Sequence, residues 1–211
     1  MSSPTMPTEN LHISSDNVRS AGGDLDSVWV GKLGAVMPDE IEDPPNHENV
    51  GWLNEDGIEF GHDDNVESFP GHQGGKIVRK KVTSSEDTFK FTALESTALT
   101  YGLVHDIRSR ETTDGVVDAG KQVTRMKISG SKKPNDRRSW IVDLWDGDIW
   151  ERYLIPSGEI GERPTVTASN SGLKMYEFTV TVYGSYEILT NDPAQIVEDD
   201  EDDSDGGDSG N

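Results

Sequence analysis

The chain has 211 residues, enough for one β-rich domain with arms or for two small domains. Its 32% hydrophobic and 28% charged content supports a core of modest size. There is no cysteine, which excludes a disulfide framework and thiolate metal or redox centres. The formal net charge is −21, and because nucleic-acid affinity comes mainly from basic groups neutralising phosphates, this balance argues against direct DNA or RNA binding.

Residues 1–26 are rich in Ser, Asn and Asp without periodicity and are expected to form a flexible arm. The opening MSSPTMPTENLHISS lacks the basic and apolar regions of a signal peptide, so synthesis in the cytosol is expected. No run approaches the roughly 18 apolar residues of a membrane helix. SVWVGKLGAVMP reads as a strand ended by Pro38. Between Lys32 and Lys76 there is no Lys or Arg, while Asp39, Glu40, Glu42, Asp43, Glu48, Glu55, Asp56, Glu59, Asp63, Asp64 and Glu67 all lie there. Pro44-Pro45, Asp56-Gly57 and Pro70-Gly71 punctuate the stretch, and residues 39–75 are expected to form a long acidic loop around one short extended piece, VGWLNEDGIEF.

From Lys76 the pattern is β. KIVRKKVTS and DTFKFTAL read as strands paired across SED. In DTFKFTALESTALTYGLVHD, Phe89, Phe91 and Ala93 alternate with polar residues, and after Glu95 the apolar spacing becomes helical. Ser96 can cap that helix, and Glu95 at its start suits the helix dipole. No second carboxylate or base accompanies Glu95, so it reads as architecture rather than a general acid. RETTDGVVDAGK is a turn-rich link, QVTRMKISG a strand and SKKPNDRR a loop.

SWIVDLW and DIWERYLI flank Asp146-Gly147, a hairpin signal. With those two as the turn, Leu144 faces Ile149, Val142 faces Glu151 and Trp140 faces Tyr153. On the other face Trp145 meets Asp148, Asp143 meets Trp150 and Ile141 meets Arg152. Both faces therefore carry large apolar groups. One can fill a core; the other, with Ile141, Trp145 and Trp150, must be covered by the chain's own arm or loop or by another subunit. A repeated self-contact is the expectation. KMYEFTVTVYGSYEIL alternates cleanly, with Tyr176, Phe178, Val180, Val182, Tyr186 and Ile188 on one parity. The whole reads as mainly β, a sandwich or barrel with one short flanking helix.

Chemistry-bearing motifs are weak. His47, His62 and His72, with Asp63 and Asp64, match no metal-ligand spacing. Asp143, Asp146 and Asp148 lack the remaining positions of a calcium loop. There is no nucleophile elbow and no phosphate cradle. No catalytic residue, metal or cofactor is expected, and the chain does not read as an enzyme.

The order of VGKLGAVMP, GWLNEDGIEF, the long loop, KIVRKKVTSSEDTFKFTALES, the helix TALTYGLVH and YEFTVTVYGSYEIL resembles the major tail proteins, or tail tube proteins, of long, non-contractile-tailed bacteriophages. The resemblance covers residues 27–190, the β domain. It implies a structural virion protein whose hexameric rings stack into a tube that conducts DNA during ejection, without specific DNA binding and without a membrane. It also implies partners at the tape measure, terminator and tip of the tail, and synthesis in the host bacterial cytoplasm. On that reading Lys76, Arg79, Lys80 and Lys81 meet acidic groups of a neighbouring subunit or ring, and Glu95 and Ser96 shape the strand-to-helix joint. The reading from another class is a β-sandwich binding module, a carbohydrate- or receptor-binding decoration domain that offers Trp145 and Trp150 to a sugar.

Residues 191–211 are expected to form an acidic, disordered tail, which the resemblance does not assign. VEDDEDDSDGGDSGN carries eight of the negative charges, and the chain without them still stands at −13. So dense a block of like charge cannot bury enough apolar surface to order itself. Repulsion between exposed charges is screened over about 8 Å at physiological ionic strength, so such tails would slow stacking of already acidic rings at low salt. Deleting residues 198–211 is expected to speed tube growth at low salt, measured by light scattering, with the difference vanishing as salt rises. Equal rates at low salt would leave the tail only a solubility role.

Overall fold

The computed structural model describes residues 15–72, 74–114, 121–130 and 136–196. It is a mainly β subunit with a single α-helix among these residues. In chain order the elements are β1 (Ser27–Lys32), β2 (His47–Asn49), β3 (Leu53–Pro70), β4 (Ile77–Ala93), α1 (Ala98–Val104), β5 (Ile107–Asp114), β6 (Gln122–Ile128), β7 (Arg137–Asp146), β8 (Ile149–Ile160), β9 (Thr165–Thr167), β10 (Met175–Val182) and β11 (Glu187–Thr190). The main sheet runs β2-β1-β7-β8-β10-β4-β3, with β11 on β8 and β9 on β10; β5 and β6 form a separate hairpin. All the pairings are antiparallel.

The sheet folds on itself because β8 changes partner along its length. Its first part, Glu151–Leu154, pairs with β11, and its last, Gly158–Ile160, pairs with β10. The switch coincides with an irregularity in the β7–β8 ladder between Arg138 and Trp140 and with Pro156, which has no N–H to give to a ladder. Folding over brings the β7 and β4 side chains together. Trp140 stands edge-on to Phe89 and Phe91, with centroids 5.6 and 6.1 Å away, and Phe91 stacks on Phe178 at 5.0 Å. Val28, Val30, Val142, Ile155, Tyr176 and Val180 complete the buried core. Tyr153 stacks on Phe60 at 4.3 Å; burial and the Glu151 carboxylate push its phenol up to about 12, so it stays a neutral donor to Glu151 Oε2 at 3.0 Å.

Several expectations are corrected. Residues 39–75 are not one loop: β2 and the eighteen-residue β3 lie within them. KIVRKKVTS and DTFKFTAL are one strand, β4, with Ser84, Ser85 and Glu86 paired to Asn65, Asp64 and Asp63. The turn-rich link begins with β5, and its residues 115–120 lie outside those described. The β7–β8 turn is Gly147-Asp148, one residue later than expected, so Trp145 opposes Trp150 and Asp143 opposes Arg152. Gly147 has φ +62° in the first central position, where glycine is favoured. The long final strand breaks at Gly184 (φ +83°) into β10 and β11, which sends Ile188 to the surface. Thr97, not Ser96, caps α1, accepting from the Thr100 N–H at 3.1 Å; the Ser96 hydroxyl is hydrogen-bonded to the Tyr176 phenol at 2.7 Å.

The second face of β7–β8 is covered by the chain itself. Asp143 and Arg152 form a bidentate ion pair (2.6 and 2.8 Å), each with under 5% of its side chain exposed. Arg152 Nη1 also donates to the carbonyls of Glu40 (2.6 Å) and Glu42 (2.8 Å), which pins residues 40–42 over the hairpin. The second half of the expected flexible arm, residues 15–26, is docked as well and forms a strap. Arg19 makes a bidentate pair with Asp192 (2.6 and 2.8 Å), the Ser20 N–H donates to Asp146, and Asp26 accepts from the Trp145 N–H at 2.8 Å. At the other terminus Asn191 Oδ1 accepts from the Trp150 N–H and Asp192 caps a short 3-10 turn, Pro193–Gln195. Residues 1–14 and 197–211, most of the expected tail among them, lie outside the described residues.

Two outcomes follow from this packing. A Cβ on Gly158 would come within 2.8 Å of both Trp140 Cδ1 and Val180 Cγ1. Gly158→Ala is therefore expected to destabilise the isolated subunit by about 1–3 kcal/mol in denaturant unfolding, and unchanged stability would show that the partner switch in β8 is loosely packed. The Asp192 carboxyl is held below the usual carboxylate range first by the hydrogen bond from Arg19 and then by the Ala194 N–H. A depressed folded value contributes stability above the ordinary pKa of about 4 and loses it as pH falls through the folded value. Burial raises Asp26, so its contribution has the opposite sign. After correction for intrinsic rates, amide exchange protection around Arg19 and Ala194 is expected to hold at neutral pH and collapse toward pH 3. Asp192→Asn is expected to show the loosened state already at pH 7; full protection there would mean the ion pair does not hold the strap.

Candidate assembly surfaces

Three surfaces stand out once the core is accounted for. The first is the outer part of the β3–β4 hairpin. Up to His62 and Asp87 the two strands belong to the main sheet, where β10 flanks β4. Beyond that they continue as a two-stranded ribbon, and every residue of Asp63–Pro70 and Ile77–Glu86 is exposed. Cross-strand bonds stiffen it, with Asn65 Nδ2 donating to Ser84 Oγ at 3.0 Å and Thr83 Oγ1 to the Asn65 carbonyl at 3.1 Å. Its free end carries Val66, Phe69, Ile77, Val78 and Val82, all exposed. Lys76, Arg79, Lys80 and Lys81 lie among them, and none makes an ion pair among the described residues.

The second surface is the end of the β7–β8 hairpin. Trp145 and Trp150 are half-buried neighbours with centroids 6.5 Å apart, beside a shallow hollow formed with Ala21, Leu144 and Ile149. Ile141 does not join them. It is fully buried beneath the chain's own covering segments, so as a subunit-interface residue it is corrected.

The third is a cleft of about 600 Å³ between the strap, the start of β3 and the β7–β8 hairpin. Asp24, Asp26, Asp43, Glu55, Glu95 and Asp143 line it, with Arg152 the single cation among the described residues there. Three of these carboxylates are used internally, Asp26 by accepting from the Trp145 and Gly22 N–H groups. Asp143 holds Arg152, and Glu95 Oε1 accepts from the Trp52 N–H at 3.0 Å. Glu95 thus ties down the backbone at the entry to β3. Gly51, at φ +88°, makes room for it, since a Cβ there would overlap the carboxylate.

Three of the remaining candidates, His47, His62 and Asp146, have structural uses. His47 Nε2 is hydrogen-bonded to Ser139 Oγ at 3.0 Å, and His62 Nδ1 lies 2.7 Å from Asp87 Oδ1 across the β3–β4 ladder. Asp146 accepts from the strap. Among the described residues no group of three His, Cys, Asp or Glu side chains is placed to hold a metal ion, and no helix is long and apolar enough to cross a membrane. Ser96, Tyr176, Lys174 and Tyr101 cluster at the foot of α1, where Lys174 Nζ donates to the Tyr101 hydroxyl at 2.8 Å and sits over both rings. That bond lowers the Tyr101 phenol and raises the Lys174 ammonium, and the group joins β10 to the helix.

Charge is segregated along the chain. Residues 76–138, which include β4 and the β5–β6 hairpin, hold 14 of the 19 Lys and Arg residues and only 8 of the 40 Asp and Glu. The sequence offered this signal directly. The docking of Arg19 on Asp192, 173 residues apart, left no local trace.

No curated protein sequence matches the chain. Among solved structures it is similar to a chain of the virion of a native gene transfer agent particle, at 9% identity and a TM-score of 0.43, covering 80% of this chain and 99% of that one. It is also similar to a chain of the C6-symmetric tail of an empty particle of the same kind, at 8% identity and a TM-score of 0.40, covering 81% and 99%. The sequence profile of the phage tail tube protein family matches residues 13–205. The assignment rests on that match: this chain belongs to the phage tail tube protein family, and its role is structural, in the tail of the virion.

Proposed function

We propose that the chain assembles into hexameric rings that stack as the tail tube, a conduit through which DNA passes without specific binding. The observation that carries this reading is the β3–β4 ribbon, which leaves the subunit with both faces wet and with apolar and basic residues at its free end. A two-stranded ribbon covered on neither face is marginal in water, and a neighbouring subunit supplies the missing cover. The outer edges of β2 and β3, at the two ends of the main sheet, have no strand partner among the described residues and offer backbone groups that neighbours can satisfy. On this reading Lys76, Arg79, Lys80 and Lys81 make contacts between subunits or rings, and Trp145 and Trp150 pack into a subunit interface. Tape measure, terminator and tip proteins complete the tail. The chain works without catalysis or cofactor and is made in the host bacterial cytoplasm.

Negative-stain electron microscopy of the purified protein is expected to show six-fold rings or tubes. Dispersed monomers that bind a glycan through Trp145 and Trp150 would instead favour the binding-module reading. Central aromatics often contribute about 2 kcal/mol or more each at such interfaces. Trp145→Ala combined with Trp150→Ala is therefore expected to leave a folded subunit, by circular dichroism, that no longer forms tubes. Unfolding of the double variant as a monomer would place both rings in the core instead.

A further inference from the structure

Two of the surfaces are complementary in two respects at once. The ribbon's free end combines the cations Lys76, Arg79, Lys80 and Lys81 with exposed Ile77 and Val78. The cleft combines carboxylates with an apolar rim, where Leu25 is 59% and Trp52 70% exposed. Asp24, Asp43 and Glu55 are exposed and accept no hydrogen bond from any described residue. The ribbon cannot reach the cleft of its own chain. β3 begins at the cleft, and the eight steps from His62 to Pro70 carry the free end roughly 25 Å beyond the sheet at about 3.3 Å per residue.

We infer that the free end of the β3–β4 ribbon docks in the acidic cleft of a second copy of this chain. Ile77 and Val78 cover Leu25 and Trp52 there, and the basic side chains face Asp24, Asp43 and Glu55. This rests on reading the ribbon as an assembly contact, and it names the acceptor. Apolar groups supply cover on both sides, and opposite charge sets the register and the rate of encounter. Because donor and acceptor are different surfaces, the contact is head-to-tail and repeats from copy to copy, closing a ring or extending a filament.

Charge reversal on the full-length chain tests the pairing. Lys80→Glu with Lys81→Glu on the ribbon, and separately Asp24→Lys with Glu55→Lys in the cleft, are each expected to slow low-salt assembly about tenfold or more by light scattering. The four changes together are expected to restore it. Loss from the ribbon variant alone, with normal assembly of the cleft variant and no rescue, would overturn the cleft as acceptor and leave the ribbon's role standing. Normal assembly of both double variants would overturn both. A second measurement uses the absence of native cysteine. Asp24→Cys with Val78→Cys, oxidised after tubes are seen by microscopy, is expected to give an intermolecular disulfide ladder on non-reducing gels. Monomer alone from such tubes would also overturn the inference.

Discussion

The Asp143–Arg152 pair is the contact on which the covered second face of the β7–β8 hairpin depends. A hairpin with one apolar face would need only the aromatic core beneath Trp140. This one also carries Ile141 and Leu154 on its back, both buried, and the segments over them are irregular backbone. Arg152 holds that backbone by spending its guanidinium on two carbonyls as well as on Asp143. Trp29 Nε1 and the Ser27 hydroxyl donate to the same carboxylate, at 3.1 and 3.2 Å. A buried pair satisfied on all sides contributes more to fixing one arrangement than to raw stability. Removing one member would strand a desolvated charge, at a cost of about 3–5 kcal/mol.

That arrangement also builds the cleft. The strap, residues 40–42 and the start of β3 converge there because each is tied down by a polar group rather than by apolar packing: Asp26 under Trp145, Arg152 under Glu40 and Glu42, Glu95 under Trp52. Segments held in this way leave space between them, and their carboxylates face it. The subunit thus spends its apolar side chains on one aromatic core and leaves others on the ribbon and around the cleft. Exposed apolar groups beside strong local charge are the composition of a contact surface rather than of a solvated one.

Segregated charge fits a tube subunit in a second way. Concentrating the cations in residues 76–138 leaves the rest of the chain acidic. In the proposed assembly, basic groups engaged by a neighbour would not be available to phosphates, and acidic surfaces would repel them. A conduit for DNA built from such subunits offers few attractive contacts to slow the passage of a polyanion.

Strict alternation made the core legible in the sequence. Phe89-Phe91-Ala93 and Tyr176-Phe178-Val180 announced strands with one buried face, and the change of period after Glu95 announced the helix. Composition determined the acidic character and the absence of thiol chemistry. The β3 half of the ribbon was not legible, because a strand wet on both faces has no polarity contrast to alternate, so its Asp, Asn and Ser residues read as loop; KIVRKKVTS did read as a strand, but with the wrong partner. The Asp143–Arg152 pair was hidden by a turn placed one residue early. Both turns keep each side chain on its proper face, but only the true one sets those two residues opposite each other. Tertiary structure alone decided what covers the hairpin's back and where the cleft lies. Those depend on contacts such as Arg19 with Asp192 and Arg152 with Glu40, between residues more than a hundred positions apart, for which local spacing carries no signal.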